Sequence, residues 1–115
     1  MFKEKLYSLM SMEPEVEEMP KFKYEYTEEI VFFKRDFHLF TARLKSPGIW
    51  ELWAIPTKCW NVDDHHKKPP IYLGKWKHGE IIMCKDYYNL DWGIRDRTEV
   101  LYGLIRKEMK KRQTA

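Results

Sequence analysis

Residues 37–55 read FHLFTARLKSPGIWELWAI, two β-prone runs on either side of a Ser-Pro-Gly turn. Proline presets φ at the second turn position and glycine permits a positive φ at the third, as a type II turn requires. Apolar residues alternate along the first run, which is the spacing of a half-buried strand. We therefore expect a β-hairpin in which Trp53 and Ile55 face the same side of the sheet as Phe40.

Further strand signals lie on both sides of this hairpin. Downstream, residues 71–76 and 80–85 flank Lys77-His78-Gly79, where the glycine suits the left-handed position of a three-residue hairpin loop. Upstream, aromatic residues alternate with charged ones over residues 21–26, and residues 30–33 form a short β-prone run. Together these patterns predict four or five antiparallel strands between about residues 21 and 85.

Helical patterns lie at the two ends of the chain. Asp96 with Glu99 three residues later resembles a capping box, and the apolar stripe after it predicts a helix from about residue 97 to 111. Apolar residues at helical spacing also predict a short helix over residues 2–12. The stripe of the C-terminal helix consists of Val100, Leu101, Leu104, Ile105 and Met109.

The order of these elements predicts an α+β fold. An antiparallel sheet of four or five strands is flanked by a short N-terminal helix and a longer C-terminal helix. Helices on one face would leave the other face partly exposed, and Tyr or Trp side chains there would form a binding surface. We expect residues 1–20 to be the short helix plus an acidic arm, and residues 21–115 to be a single α+β domain.

Composition and charge limit the class of protein. With 43% hydrophobic and 34% charged residues, the 115-residue chain is typical of a globular protein with one core. It has no apolar run near the ~20 residues of a membrane span, and no signal peptide pattern at its start. Its two cysteines favour free thiols in a reducing compartment, so we expect a cytoplasmic, intracellular protein. Residues 1–33 carry four Lys and eight Glu, so the basic excess lies farther along the chain.

A cluster of potential metal ligands lies in and beyond the loop of residues 59–70. Thiolate and imidazole are the usual ligands of zinc, but structural zinc sites bring their ligands in closer pairs than the spacings found here. With Asp63 or Asp64, the histidines could instead support metal-assisted hydrolysis, although neighbouring loop residues rarely converge on one reacting atom. We expect no cofactor and keep zinc as an alternative. The candidate ligands are Cys59, His65, His66, His78 and Cys84.

The interleaving of basic and aromatic residues favours nucleic-acid binding as an alternative function. Lysine and arginine neutralise phosphates, and tryptophan can stack on bases. The alternative is that Trp76 belongs to the core and that the lysines only keep the surface soluble. The candidate residues are Lys75, Trp76 and Lys77 at a hairpin tip and Arg106, Lys107 and Lys110 on the C-terminal helix.

The high aromatic content favours a protein partner. Five Trp in so short a chain are too many to be buried with every indole N–H satisfied, and exposed aromatic side chains are typical of interfaces. On a strand, Trp50 and Trp53 point to opposite faces, so we expect one of them outside the core. The candidate protein-binding residues are Trp50, Trp60, Tyr87, Tyr88 and Trp92.

These patterns lead to one main hypothesis about function. Phosphate-binding glycine motifs are missing from the sequence and no catalytic set stands out, so we expect a small non-enzymatic interaction protein. It would dock on a protein partner as an inhibitor, adaptor or regulator, in the manner of a viral or phage accessory protein. Nucleic-acid binding is the first alternative, and a metal-dependent hydrolase is the second.

Overall fold

The computed structural model describes residues 19–57 and 68–113, in which five strands precede one long helix. The strands pair in the order β1-β2-β3-β4-β5, and every pair is antiparallel. The predicted antiparallel sheet and C-terminal helix are therefore confirmed, whereas the predicted N-terminal helix lies outside the described residues. The elements are β1 (Glu29–Arg35), β2 (His38–Ser46), β3 (Ile49–Pro56), β4 (Ile71–Lys77), β5 (Glu80–Met83), a 3-10 turn (Tyr87–Asn89) and helix α1 (Trp92–Gln113).

Two-residue turns join three of the four strand pairs. Gly48 has φ of 79°, close to the value that a type II turn requires at its third position. His78 and Gly79 both have positive φ, so the β4–β5 turn is one residue shorter than predicted. The β1–β2 turn holds Asp36 and Phe37, again both at positive φ, which is rare for a side chain as large as phenylalanine.

One face of the sheet packs against α1, and we call it the helix face. Directly opposed residues share a face, so Phe40 lies beside Ala54 and Trp50 lies beside Trp76. The guanidinium of Arg112, near the end of α1, lies 5.1 Å from the Trp50 ring, which identifies this side as the helix side. Trp53 is therefore on the opposite face from Phe40, and the predicted arrangement of the β2–β3 hairpin is wrong.

The helix begins five residues before the predicted position. The backbone N–H of Gly93 donates to the carboxylate of Asp91 at 3.2 Å, so Asp91 and not Asp96 caps α1. Leu101 and Ile105 are fully buried as expected, but Val100 is half exposed and does not belong to the buried stripe. Within the two described ranges, no helix is both long and apolar enough to cross a membrane.

Residues 19–28, which we call the arm, cross the opposite face of the sheet. Residues 21–26 were expected to form a strand, but they pair with no strand of the sheet. Instead the ring of Phe22 packs edge-on against Trp53, with the ring centroids 5.1 Å apart. Because the arm covers this face and Trp53 is fully buried, the expectation of a partly exposed sheet face with an accessible tryptophan is wrong there.

Beneath the arm, three buried charged side chains lie side by side on neighbouring strands. Arg43 of β2 faces Glu51 of β3, which in turn faces Lys75 of β4, so charges of opposite sign alternate across the sheet. All three residues are no more than 7% exposed. Glu51 also accepts hydrogen bonds from the Tyr26 hydroxyl at 2.6 Å and from the Trp53 indole at 3.3 Å. Arg43 forms an ion pair with Glu29 at 2.5 Å, and Glu51 forms one with Lys45 at 3.9 Å. Burial of Arg43 and Glu51 is therefore compensated by ion pairs and hydrogen bonds.

Candidate binding surface

Between β5 and α1, the chain gathers aromatic side chains around a shallow cleft of about 330 Å³. The strand ends at Met83, the 3-10 turn follows within four residues, and α1 begins at Trp92. These short connections place the 3-10 turn beside the first two helical turns of α1. The cleft, which we call the aromatic pocket, is lined by Met83, Tyr87, Tyr88, Trp92, Arg95, Asp96 and Glu99.

Two of these aromatic side chains are largely in solvent. Tyr88 is 73% exposed and Trp92 is 74% exposed, although both are large and mostly apolar. Tyr87 is buried and forms the base of the pocket, where its ring meets that of Tyr88 edge-on at 5.1 Å. Exposed tryptophan and tyrosine on a fixed scaffold are the residues that most often dominate binding energy in protein interfaces.

The acidic side of the pocket follows from helical spacing. Asp96 and Glu99 come four and seven residues after Trp92, so all three lie on one side of α1. The Tyr87 hydroxyl donates a hydrogen bond to the Glu99 carboxylate. Burial, and then this hydrogen bond to a negative group, raise the pKa of Tyr87 to about 12. Tyr87 therefore remains a protonated donor at neutral pH and holds one carboxylate in place.

Arg95 already places a cation on the exposed indole. Its guanidinium carbon lies 5.5 Å from the Trp92 ring centroid, within the range of a cation–π interaction. The same side chain donates a hydrogen bond of 3.4 Å to the backbone oxygen of Tyr88. One residue of the pocket thus links its two exposed aromatic residues.

The structure brings together three of the five predicted protein-binding residues. Tyr87, Tyr88 and Trp92 all line the aromatic pocket. Trp50 is only 4% exposed under α1, and Trp53 is fully buried, so the expectation that one of the two lies outside the core is wrong. Both are buried because α1 covers one face and the arm covers the other. Trp60 lies outside the described residues.

The predicted nucleic-acid residues separate into two groups. Trp76 is 7% exposed and packs in the core, so neither face of its ring is available for base stacking. Lys75 is also buried, on the face under the arm. By contrast, Arg106, Lys107 and Lys110 are exposed on α1. Lys77, the third hairpin-tip residue, is partly exposed. The hairpin tip therefore keeps one accessible lysine but not the stacking tryptophan, whereas the helical half of the predicted surface is exposed.

A groove of about 610 Å³ runs beside the exposed basic residues of α1. Its apolar part comes from half-buried side chains of β1 and of α1, and lysines form its border. This arrangement places positive charge next to apolar surface near the C-terminal end of the helix. The lining residues are Phe32, Leu104, Lys107, Glu108, Lys110 and Lys111.

The predicted metal ligands fall mostly outside the described residues. This applies to Cys59, His65 and His66, and also to Asp63 and Asp64, so the zinc site and the hydrolase remain predictions. His78 is exposed at the β4–β5 turn, whereas Cys84 is buried just after β5, and burial raises the pKa of its thiol. Over residues 19–57 and 68–113, no three His, Cys, Asp or Glu side chains are grouped so that they could hold a metal ion.

Sequence reasoning missed four residues of the aromatic pocket. Met83 falls in the run predicted as the last strand, and Asp96 and Glu99 were expected to cap a helix beginning near residue 97. Arg95 lies just before that predicted helix and was not grouped with them. The signal that could have found them is Asp91, since a cap at that position puts Trp92, Asp96 and Glu99 on one helix face.

The fold and surface define a class: a five-strand antiparallel meander that packs on a C-terminal helix and carries an exposed aromatic pocket. No protein-family model, curated protein or solved structure matches the chain.

Proposed function

We propose that this chain is a small non-enzymatic interaction protein that docks on a protein partner inside the cell, as an inhibitor, adaptor or regulator. The aromatic pocket is the docking surface. The observation that carries this proposal is the pair Tyr88 and Trp92, which are about three-quarters exposed at the border of one cleft. A partner that covers both rings would remove a large apolar area from water at about 25 cal/mol per Å².

The pocket also has the rigidity that favours binding. Tyr87 stacks on Tyr102 of α1 with the ring centroids 6.2 Å apart, and its hydroxyl is held by Glu99. Asp91 fixes the first turn of the helix, on which Trp92 stands. Because these groups are held before a partner arrives, little conformational entropy is lost on binding.

The test is capture of a partner by the purified protein from lysate of its native cells, followed by a measurement of affinity for the partner identified. Trp92→Ala and Tyr88→Ala should each weaken binding by about 2 kcal/mol or more, roughly thirtyfold, as for interface hot spots. Tyr24→Ala is the matched control, because Tyr24 is 85% exposed but lies on the arm. A partner whose affinity is unaffected by both pocket variants would contradict the proposal.

Nucleic-acid binding is the second candidate function, and the exposed basic side of α1 favours it. Arg106, Lys107 and Lys110 would contact phosphates, so affinity should fall steeply as the salt concentration rises. Replacement of all three by Glu should abolish binding to generic DNA or RNA and leave the fold intact. If the wild-type protein shows no salt-sensitive mobility shift at micromolar concentration, this candidate function is wrong.

A further inference from the structure

We propose that the aromatic pocket recognises an arginine side chain of the partner, flanked by apolar residues, and that this arginine displaces Arg95 from the Trp92 ring. This inference rests on the proposed function and names the chemistry of the partner. In the free protein, the guanidinium of Arg95 occupies the face of Trp92 at 5.5 Å. An intramolecular contact of this kind shows which chemical group the exposed indole accepts.

Charge in the pocket favours a cationic guest. Two carboxylates, Asp96 and Glu99, line it together with the single cation of Arg95. Asp96 is exposed and its ion pair with Arg97 is long, at 3.7 Å, so its carboxylate remains open to a second cation. Carboxylates bind guanidinium through paired hydrogen bonds, which makes arginine the matching side chain.

The N-terminus of α1 would by itself oppose a cation, because its backbone N–H groups carry partial positive charge. Asp91 caps this end, where its carboxylate accepts a hydrogen bond from Gly93 and its backbone oxygen accepts one from Arg95. The negative charge of Asp91 therefore compensates for the helix dipole next to Trp92.

Apolar surface beside the pocket determines what should flank the arginine. Met83 lines the pocket from the side of β5. Val100 is 52% exposed and lies about 12 Å farther along α1 than Trp92. Apolar residues beside the arginine would therefore find apolar surface at the pocket in Met83 and farther along the helix in Val100.

The test uses two capped pentapeptides with leucines on both sides of the central residue, which is arginine in one and its neutral isostere citrulline in the other. Binding is followed through the indole N–H signal of Trp92 in nitrogen-15 NMR spectra, assigned with Trp92→Phe. We expect the arginine peptide to shift this signal and to bind at least about threefold more tightly than the citrulline peptide, as a surface cation–π contact and one carboxylate would provide.

Arg95→Gln provides the decisive variant. Removal of the internal cation should strengthen binding of the arginine peptide by about two- to fivefold. Asp96→Asn combined with Glu99→Gln should weaken binding of the arginine peptide. Both new side chains keep a hydrogen-bond acceptor, so the variant removes the negative charges alone. Lys107→Gln is the control for a general change in charge and should leave the affinity unchanged.

Three results would overturn this inference: no shift of the Trp92 signal, equal binding of the two peptides, or weaker binding by Arg95→Gln. Any of them can occur while Trp92→Ala and Tyr88→Ala still weaken binding of the captured partner, in which case the docking function stands and only the arginine specificity is wrong. If the affinity for the partner is instead unaffected by Trp92→Ala and Tyr88→Ala, both proposals are wrong.

Discussion

The hydroxyl of Tyr102 donates a hydrogen bond of 2.5 Å to the backbone oxygen of Leu73. Leu73 is the extra residue of a β-bulge in β4, since Leu52 faces Gly74 whereas Trp53 faces Tyr72. A bulged residue has no partner in the adjacent ladder, so a side chain from α1 supplies the missing donor. Tyr102 is 3% exposed, and burial raises its pKa, so the phenol remains protonated and able to donate at neutral pH.

Tyr102→Phe should lower the free energy of unfolding by about 1–3 kcal/mol, because it leaves a buried carbonyl oxygen without a donor. Urea denaturation measures this change. Tyr88→Phe is the control, since its side chain is exposed and its loss of a hydroxyl should change stability by no more than about 0.5 kcal/mol. Equal effects of the two variants would show that the bond to Leu73 contributes nothing.

Arg43→Ala should release the arm from the sheet. The guanidinium lies 4.4 Å from the Phe22 ring and 4.2 Å from the Tyr26 ring, and it donates to the Lys23 backbone oxygen at 2.5 Å. Its removal also takes away the ion-pair partner of Glu29 and one of the two cations that face Glu51 across the sheet, so we expect a loss of about 1–3 kcal/mol.

Limited trypsin digestion checks this prediction, because the arm contains Lys21 and Lys23 as cleavage sites. Cleavage there should be faster in Arg43→Ala than in the wild type and intermediate in Arg43→Lys, which keeps the charge but loses the planar group. Lys45→Ala, which removes a largely exposed lysine, should cleave like the wild type. An arm equally protected in Arg43→Ala would contradict the role given to Arg43.

Stability should fall as the pH rises from about 10 to 12. Burial and a hydrogen bond to Glu51 raise the pKa of Tyr26 to about 12, and burial and Glu99 do the same for Tyr87. A tyrosine of the unfolded chain ionises near pH 10. Between these values the unfolded state loses protons that the folded state retains, so alkaline pH favours unfolding.

Ultraviolet absorbance and urea denaturation at several pH values test this expectation. In the absorbance titration of the folded protein, some tyrosines should ionise only well above pH 10. In urea denaturation, the loss of stability with rising pH should be smaller in Tyr26→Phe and in Tyr87→Phe than in the wild type, and smallest in the double variant. A single ionisation step near pH 10 in the folded protein would show that neither phenol is held in its protonated form.

Two glycines should respond in opposite ways to alanine. Gly74 has φ of 124°, and a Cβ there would overlap the backbone oxygen of Ile82, so Gly74→Ala should destabilise by about 2 kcal/mol or more. A Cβ at Gly103 of α1 would meet no atom within 4 Å, so Gly103→Ala should stabilise the helix by about 0.5–1 kcal/mol. Thermal unfolding distinguishes the two, and a stabilising Gly74→Ala would show that the bulge geometry is not required.

The sequence predicts the strands of the β2–β3 hairpin but not which side chains share a face. With an uninterrupted ladder from the two-residue turn, Phe40 would face Ile55 and Ala42 would face Trp53. A bulge at Lys45 shifts the register between Leu44 and Ser46, so Ala42 faces Leu52 instead. This one extra residue therefore places Trp53 on the face under the arm, and no local sequence pattern predicts the bulge.

The aromatic pocket could be predicted only in part. Its tyrosines and Trp92 stand out by composition, but their grouping depends on a helix that begins at residue 92, and both Asp91 and Asp96 are suitable caps by residue type.

In the arm, the local sequence pattern predicts a strand that does not form. Its alternating aromatic and charged residues favour a strand locally, yet Phe22 and Tyr26 are used to cover a buried arginine, a tertiary interaction that period-two spacing cannot reveal.

The meander order of the sheet has a consequence for how the chain can vary in length. Three of its connections are tight turns, whereas residues 57–70 join β3 to β4. In general, the entropic cost of closing a loop grows only with the logarithm of the number of residues in it, about 0.6 kcal/mol for each doubling. Since β3 and β4 pair through their own backbones, insertions or deletions between them should leave the sheet intact, whereas one residue added at Pro47-Gly48 would alter the pairing of the central hairpin.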